Sequence, residues 1–172
     1  LDLVERYGNA RQRAEVNFVV GYFGTSWLRP ATDAEALWDT AFEAGLETGD
    51  VFHMGCACAG TIMSYHMRGV PFDETWRASE RMLDALERAR LEEPAGVVHT
   101  TRQVIKNLRA QTDSPDTLSD AAFDEDAFVA SLDGYGSRHF AHWYFIARMQ
   151  VAYLRGDYER AAALARRSAA CL

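Results

Sequence analysis

Apolar residues recur along this chain at spacings of three and four, the period of helices packed on one side. From residue 3 to residue 23, Val16, Val19, Val20 and Phe23 share one face, and the pattern stops near Gly24. Trp27-Leu28-Arg29-Pro30 follows as an aromatic connector, because the Pro30 ring disfavours helical geometry at Arg29. Thr32 and Glu35 have the spacing of a capping box, and Leu37, Trp38, Ala41, Phe42, Gly45 and Leu46 give the next apolar face. Gly49 and Asp50 close that helix, and residues 51 to 68 form a largely apolar one that ends at Gly69. Pro71 fits the approach to a helix over 73 to 91, with Trp76, Ser79, Leu83 and Leu86 facing inward. After Pro94 the stripe Val97, Val98, Thr101, Val104, Ile105 and Leu108 marks a fifth long helix.

Residues 111 to 123 are the most loop-like segment, expected to cross the surface. A short helix over 124 to 132 and a turn at Asp133-Gly134-Tyr135-Gly136 lead into a hairpin over 139 to 172. Its first helix is apolar almost all round, through Phe140, Trp143, Tyr144, Ile146, Ala147, Val151 and Leu154. Its second carries a stripe of mostly small residues, Ala161, Leu164, Ala165 and Ser168, which permits close packing. Gly156 suits a left-handed C-cap, and Asp157 suits the N-cap that follows. No sustained period-two alternation competes, so the fold class is all-α.

Two turns resemble each other if one residue is inserted. Gly69-Val70-Pro71-Phe72-Asp73 parallels Gly156-Asp157-Tyr158-Glu159, with an aromatic residue after the glycine and an acidic residue opening the next helix. Gly49-Asp50 is a third, weaker version. Such turns describe divergent helical hairpins stacked in a right-handed α-solenoid of about seven or eight helices.

Composition narrows the function classes. A net charge of -7 argues against general affinity for nucleic-acid backbones, which needs clustered positive charge. No apolar run approaches the roughly 20 residues of a membrane span, and a cytoplasmic location is expected. The 172 residues are expected to form one domain, and helices that run into both ends suggest a segment excised from a longer multidomain chain. A solenoid cut at both ends would expose apolar faces and self-associate through them.

The residues Gly156, Asp157, Tyr158 and Ala161 resemble the turn and second helix of a tetratricopeptide repeat, although Met149 and Ala165 depart from its small and large positions. A broader resemblance runs from Phe18 to Leu172. The series Trp27-Leu28-Arg29-Pro30, Gly45-Leu46-Glu47-Thr48-Gly49-Asp50, Gly69-Val70-Pro71-Phe72-Asp73-Glu74, Phe123-Asp124-Glu125 and Leu154-Arg155-Gly156-Asp157-Tyr158 is similar to the helical region of large bacterial signalling proteins. That family carries an AAA-like or STAND-type ATPase, often with serine/threonine kinase, GAF or PAS, and histidine kinase domains. Its connector often has two arginines where this chain has Leu28 and Arg29. The resemblance implies a non-catalytic arm that receives a ligand or a protein partner and biases an on/off equilibrium.

Candidate chemistry within the chain is sparse. It has no phosphate-binding glycine motif and only one lysine, Lys106, so ATPase or kinase activity is expected in other domains. Cys56 and Cys58 point about 200 degrees apart on a helix at ~100 degrees per residue, so both cannot serve one metal beside His53. His139 and His142 are expected to make interhelical hydrogen bonds. The acidic run from Asp113 to Asp126 lacks the central glycine of a calcium loop. No cofactor or metal is therefore expected. The candidate interaction residues are Trp27, Arg29, Tyr65, Trp143 and Tyr144, and the structural turn residues are Gly49, Asp50, Gly69, Pro71, Gly156, Asp157 and Tyr158. Trp27 and Arg29 lead because a connector on a rigid scaffold can recognise a partner. The alternative is a small-molecule sensor with an interhelical pocket lined by Tyr65, Trp143 and Tyr144.

Overall fold

The computed structural model describes residues 1–134, 136 and 138–171, with the side chain of Ser26 left undescribed. Tyr135 of the expected turn and the terminal Leu172 lie outside the described residues. Among the described residues the chain is helical, with a single isolated bridge between Asp120 and Phe123. It divides into two compact units, Leu1–Val98 and His99–Leu172, and the division falls within one helix, α7 (Glu92–Leu108).

The first unit opens differently from the single helix expected over 3 to 23. Helix α1 (Asp2–Tyr7) stops at Gly8, and α2 (Ala10–Val19) begins behind an Asn9 capping box closed by Gln12. A π-helical stretch, Val20–Thr25, continues α2, and the Thr25 hydroxyl donates to the Val20 carbonyl at 3.0 Å. The buried side of this stretch is Ala14, Asn17, Gly21 and Thr25, while Val19 and Phe23 of the expected face are exposed. Trp38 supplies the reason. A Cβ on Gly21 would lie 2.7 Å from the indole Nε1, so glycine lets the π-helix seat on that ring.

Helix α3 (Ser26–Leu28) is one turn, and α4 (Ala31–Thr48) starts directly after Pro30. The capping box expected from Thr32 and Glu35 is absent. Starting at Ala31 puts Thr32 inside the first turn, and the Glu35 carboxylate turns to α5 (Val51–Arg68), accepting hydrogen bonds from Ser64 at 2.6 Å and from Arg68. Helices α4 and α5 thus pack antiparallel, joined by Gly49 in the left-handed region and by Asp50, whose side chain caps the His53 N–H. Helix α6 (Phe72–Arg88) contributes Met82, Leu83 and Leu86 to a core shared with Trp38, Phe42, Met54 and Ile62.

In the second unit the segment between α7 and α8 (Glu125–Ser131) does more than cross the surface. Leu118 is fully buried within it. The buried Asn107 amide donates its two hydrogens to the Thr117 carbonyl at 2.8 Å and the Thr112 hydroxyl at 3.0 Å, with the Pro115 and Ser114 carbonyls at 3.2 and 3.4 Å sharing them, gathering the segment around one side chain. Buried Glu125 accepts from the Leu118 N–H and the Thr117 hydroxyl with one oxygen, both at 2.8 Å. Its other oxygen accepts from the Tyr144 hydroxyl and the Arg148 guanidinium, both at 2.7 Å. After a 3-10 turn, Leu132–Gly134, α9 (Arg138–Leu154) and α10 (Tyr158–Ala169) form the expected antiparallel hairpin. Ala161, Leu164 and Ser168 are its buried stripe. Leu154, by contrast, is 69% exposed, because it stands at the turn beyond the packed length of α9.

Candidate interaction site

The turn residues carry real geometry. Gly69 and Gly156 both sit at positive φ, 69 and 81 degrees. Each is followed by the same bond, from Val70 N–H to the Tyr65 carbonyl and from Asp157 N–H to the Ala152 carbonyl, both at 3.0 Å. These are matching Schellman turns. Pro71 then stands at the N-cap position of α6, whereas Asp157 caps α10 through its side chain, accepting from the Arg160 N–H at 3.0 Å. Tyr158 opens α10 with its ring 5.4 Å from that of Tyr153, both exposed.

The five interaction candidates fall in different settings. Trp143 and Tyr144 are buried in the second unit, and the Tyr144 hydroxyl is engaged by Glu125. Burial, then the neighbouring Glu125 carboxylate, push the Tyr144 phenol well above its ordinary range. Tyr65 is half-buried in the first unit, where burial and then the carboxylates of Glu35, Asp39 and Glu74 raise its phenol. Trp27 and Arg29 are different: Trp27 is 86% exposed, and its ring makes no ring contact or hydrogen bond among the described residues. Leu28 beside it is 85% exposed.

This connector is positioned by its flanks. The π-helix and one-turn α3 bring the chain to Arg29, whose φ of -148 and ψ of 164 degrees are the extended geometry imposed by Pro30. The Arg29 guanidinium lies 3.9 Å from Asp33, too far for a charge-assisted hydrogen bond. Beside it opens a cleft of about 590 Å³, with Leu3, Val20, Leu28 and Leu37 as apolar walls and Asp2, Arg29 and Asp33 as its charged side chains. The connector could be found in the sequence from its aromatic and proline; the cleft could not, because it depends on where α1 and the π-helix lie.

Other groups are committed to structure. The pair closest to a nucleophile and base is Ser168 and His142, with Nδ1 2.7 Å from the hydroxyl oxygen. The same nitrogen is 2.8 Å from the Ser168 carbonyl, which only accepts, so Nδ1 donates and the pair clasps α9 to α10. Burial pushes the Cys58 thiol up to about 12 and the Cys56 thiol up to about 11, away from thiolate chemistry. Among the described residues no group of three or more His, Cys, Asp or Glu is placed to hold a metal ion, and no helix is long and apolar enough to cross a membrane.

What fold and site define together is an all-α chain that presents an exposed tryptophan and an exposed, loosely paired arginine on a connector beside a cleft. Comparison with protein-family models, with curated proteins and with solved structures finds no match.

Proposed function

We propose that this chain is a non-catalytic, tetratricopeptide-like interaction and signal-relay segment of a multidomain bacterial signal-transduction ATPase or kinase. In this reading the hairpins belong to a right-handed superhelix in the cytoplasm, the partner is protein, either another domain of the same chain or a signalling partner, and any ATPase or kinase chemistry lies elsewhere. The observation that carries the interaction role is the Trp27-Leu28-Arg29 connector. Tryptophan and arginine dominate the energetics of protein contacts, and here both stand in solvent on a short rigid link. The matching turns at Gly69 and Gly156 support repetition of hairpins, and the sequence resemblance supports the signalling context.

Placing the photoreactive residue p-benzoylphenylalanine at position 27 of the complete protein tests this. A discrete crosslink to another domain or to one partner protein, absent when the probe replaces the exposed Thr40, supports the reading. Failure to crosslink above that control overturns it. The cleft favours a second reading, a small-molecule sensor, because its volume is in the range of ligand pockets.

A further inference from the structure

We infer that the cleft beside Arg29 is a binding site for a small amphiphilic carboxylate, a molecule with one anionic head and a medium-length apolar body. Three observations converge. The cleft of about 590 Å³ has the size of a small-ligand site, and Leu3, Val20, Leu28 and Leu37 supply the apolar contact. Arg29 supplies the cationic side chain of the lining, which also carries the carboxylates of Asp2 and Asp33. The Arg29 guanidinium makes no hydrogen bond among the described residues, and its ion pair with Asp33 is long at 3.9 Å, so its planar fork keeps the capacity to take a carboxylate by two parallel bonds. The wall that contains Val20, Gly24 and Thr25 is π-helical, an irregularity that recurs at ligand sites because it re-aims side chains at modest cost. Pro30 holds Arg29 extended beforehand, which lowers the ordering cost of binding. Asp33 and Asp2 set the selectivity: Asp33 competes weakly for Arg29, and the two carboxylates repel ligands with more than one negative charge.

The inference gives the relay an effector, yet it stands apart from the crosslinking result at position 27. Decanoate below its micellar range is the probe, read by thermal unfolding. A saturable rise in Tm of about 2 to 5 °C is expected with decanoate and none with decanol. Arg29→Met should weaken the response about tenfold or more, while Asp33→Asn should strengthen it a few-fold by freeing the guanidinium. Both side chains are at the surface, so these variants keep the fold. Equal responses to decanoate and decanol, no response at all, or a response unchanged by Arg29→Met would overturn the site. Decanoate binding without a crosslink from position 27 leaves the site standing and removes the relay reading; the reverse result does the opposite.

Discussion

Among the described residues four helix ends close with the same pair of backbone bonds, two of them on glycine. At Gly69 and Gly156 the left-handed residue has no Cβ, whereas Arg90 and Ala110 take φ of 56 and 57 degrees with side chains attached. Their bonds, Leu91 N–H to the Leu86 carbonyl and Gln111 N–H to the Lys106 carbonyl, match those of the glycine turns. A side chain in that region costs roughly 1 to 2 kcal/mol, partly offset by the entropy glycine adds to the unfolded chain. Ala110→Gly should therefore stabilise by about 0.5 to 1 kcal/mol and Gly156→Ala should destabilise by about 1 kcal/mol, both read by urea denaturation. Gly21→Ala should cost more, about 1 to 3 kcal/mol, because its Cβ would press on the Trp38 indole in a closed core. The glycine turns were legible in the sequence, since glycine advertises the conformation. Arg90 and Ala110 were not, since nothing in their identity marks a left-handed site.

Among elements, the irregular segment between α7 and α8 depends most on distant residues. Glu125 is its organiser: one oxygen is satisfied within the segment, and the other because α9 brings Tyr144 and Arg148 to it. Removing one member of a buried ion pair strands the other. Glu125→Ala should thus destabilise the second unit by about 3 to 5 kcal/mol, and amide hydrogen exchange over residues 111 to 123 should accelerate. Tyr144→Phe removes one hydrogen bond to a charged group and should cost less, about 1.5 to 3 kcal/mol in the same denaturation experiment. Periodicity located most helices well, and the expected bounds of α5 match those observed. It misjudged the buried side of α2 and the π-helical stretch after it, where the small and polar residues Ala14, Asn17, Gly21 and Thr25 face inward at spacings of three and four while Val19 and Phe23 stand exposed.

Acid stability can be predicted at the scale of the whole molecule, from one carboxylate in each unit. Burial pushes Asp50 up, but hydrogen bonds from the His53 ring and backbone outweigh it. Burial likewise pushes Asp120 up, and the Lys106 ammonium, the Ala122 N–H and the Gln103 amide together hold it down. Both carboxyls end below their ordinary value of 3.8 when folded. The unfolded chain then binds more protons than the folded one as acid is added. Their stabilisation is full above about pH 4 and is lost as pH falls through the lower folded values. Denaturation midpoints measured from pH 6 downward should fall on that limb, and Lys106→Met should make the fall shallower.

Sequence by itself determined what is local in this protein. The helical period set the all-α class, proline set the extended Arg29, and glycine followed by aspartate set the turns at Gly49 and Gly156, because each depends on steric preferences within a few residues. The tertiary structure decided what depends on residues far apart in the chain. It seated Gly21 on Trp38, withdrew Glu35 from capping to meet Ser64 and Arg68, and used Asn107 and Glu125 to fold a polar segment inward. It also opened the cleft beside Arg29 between α1, the π-helix and α4. Burial and pairing in three dimensions settle where a long polar or aromatic side chain finds its partner, and no spacing along the chain records that distance.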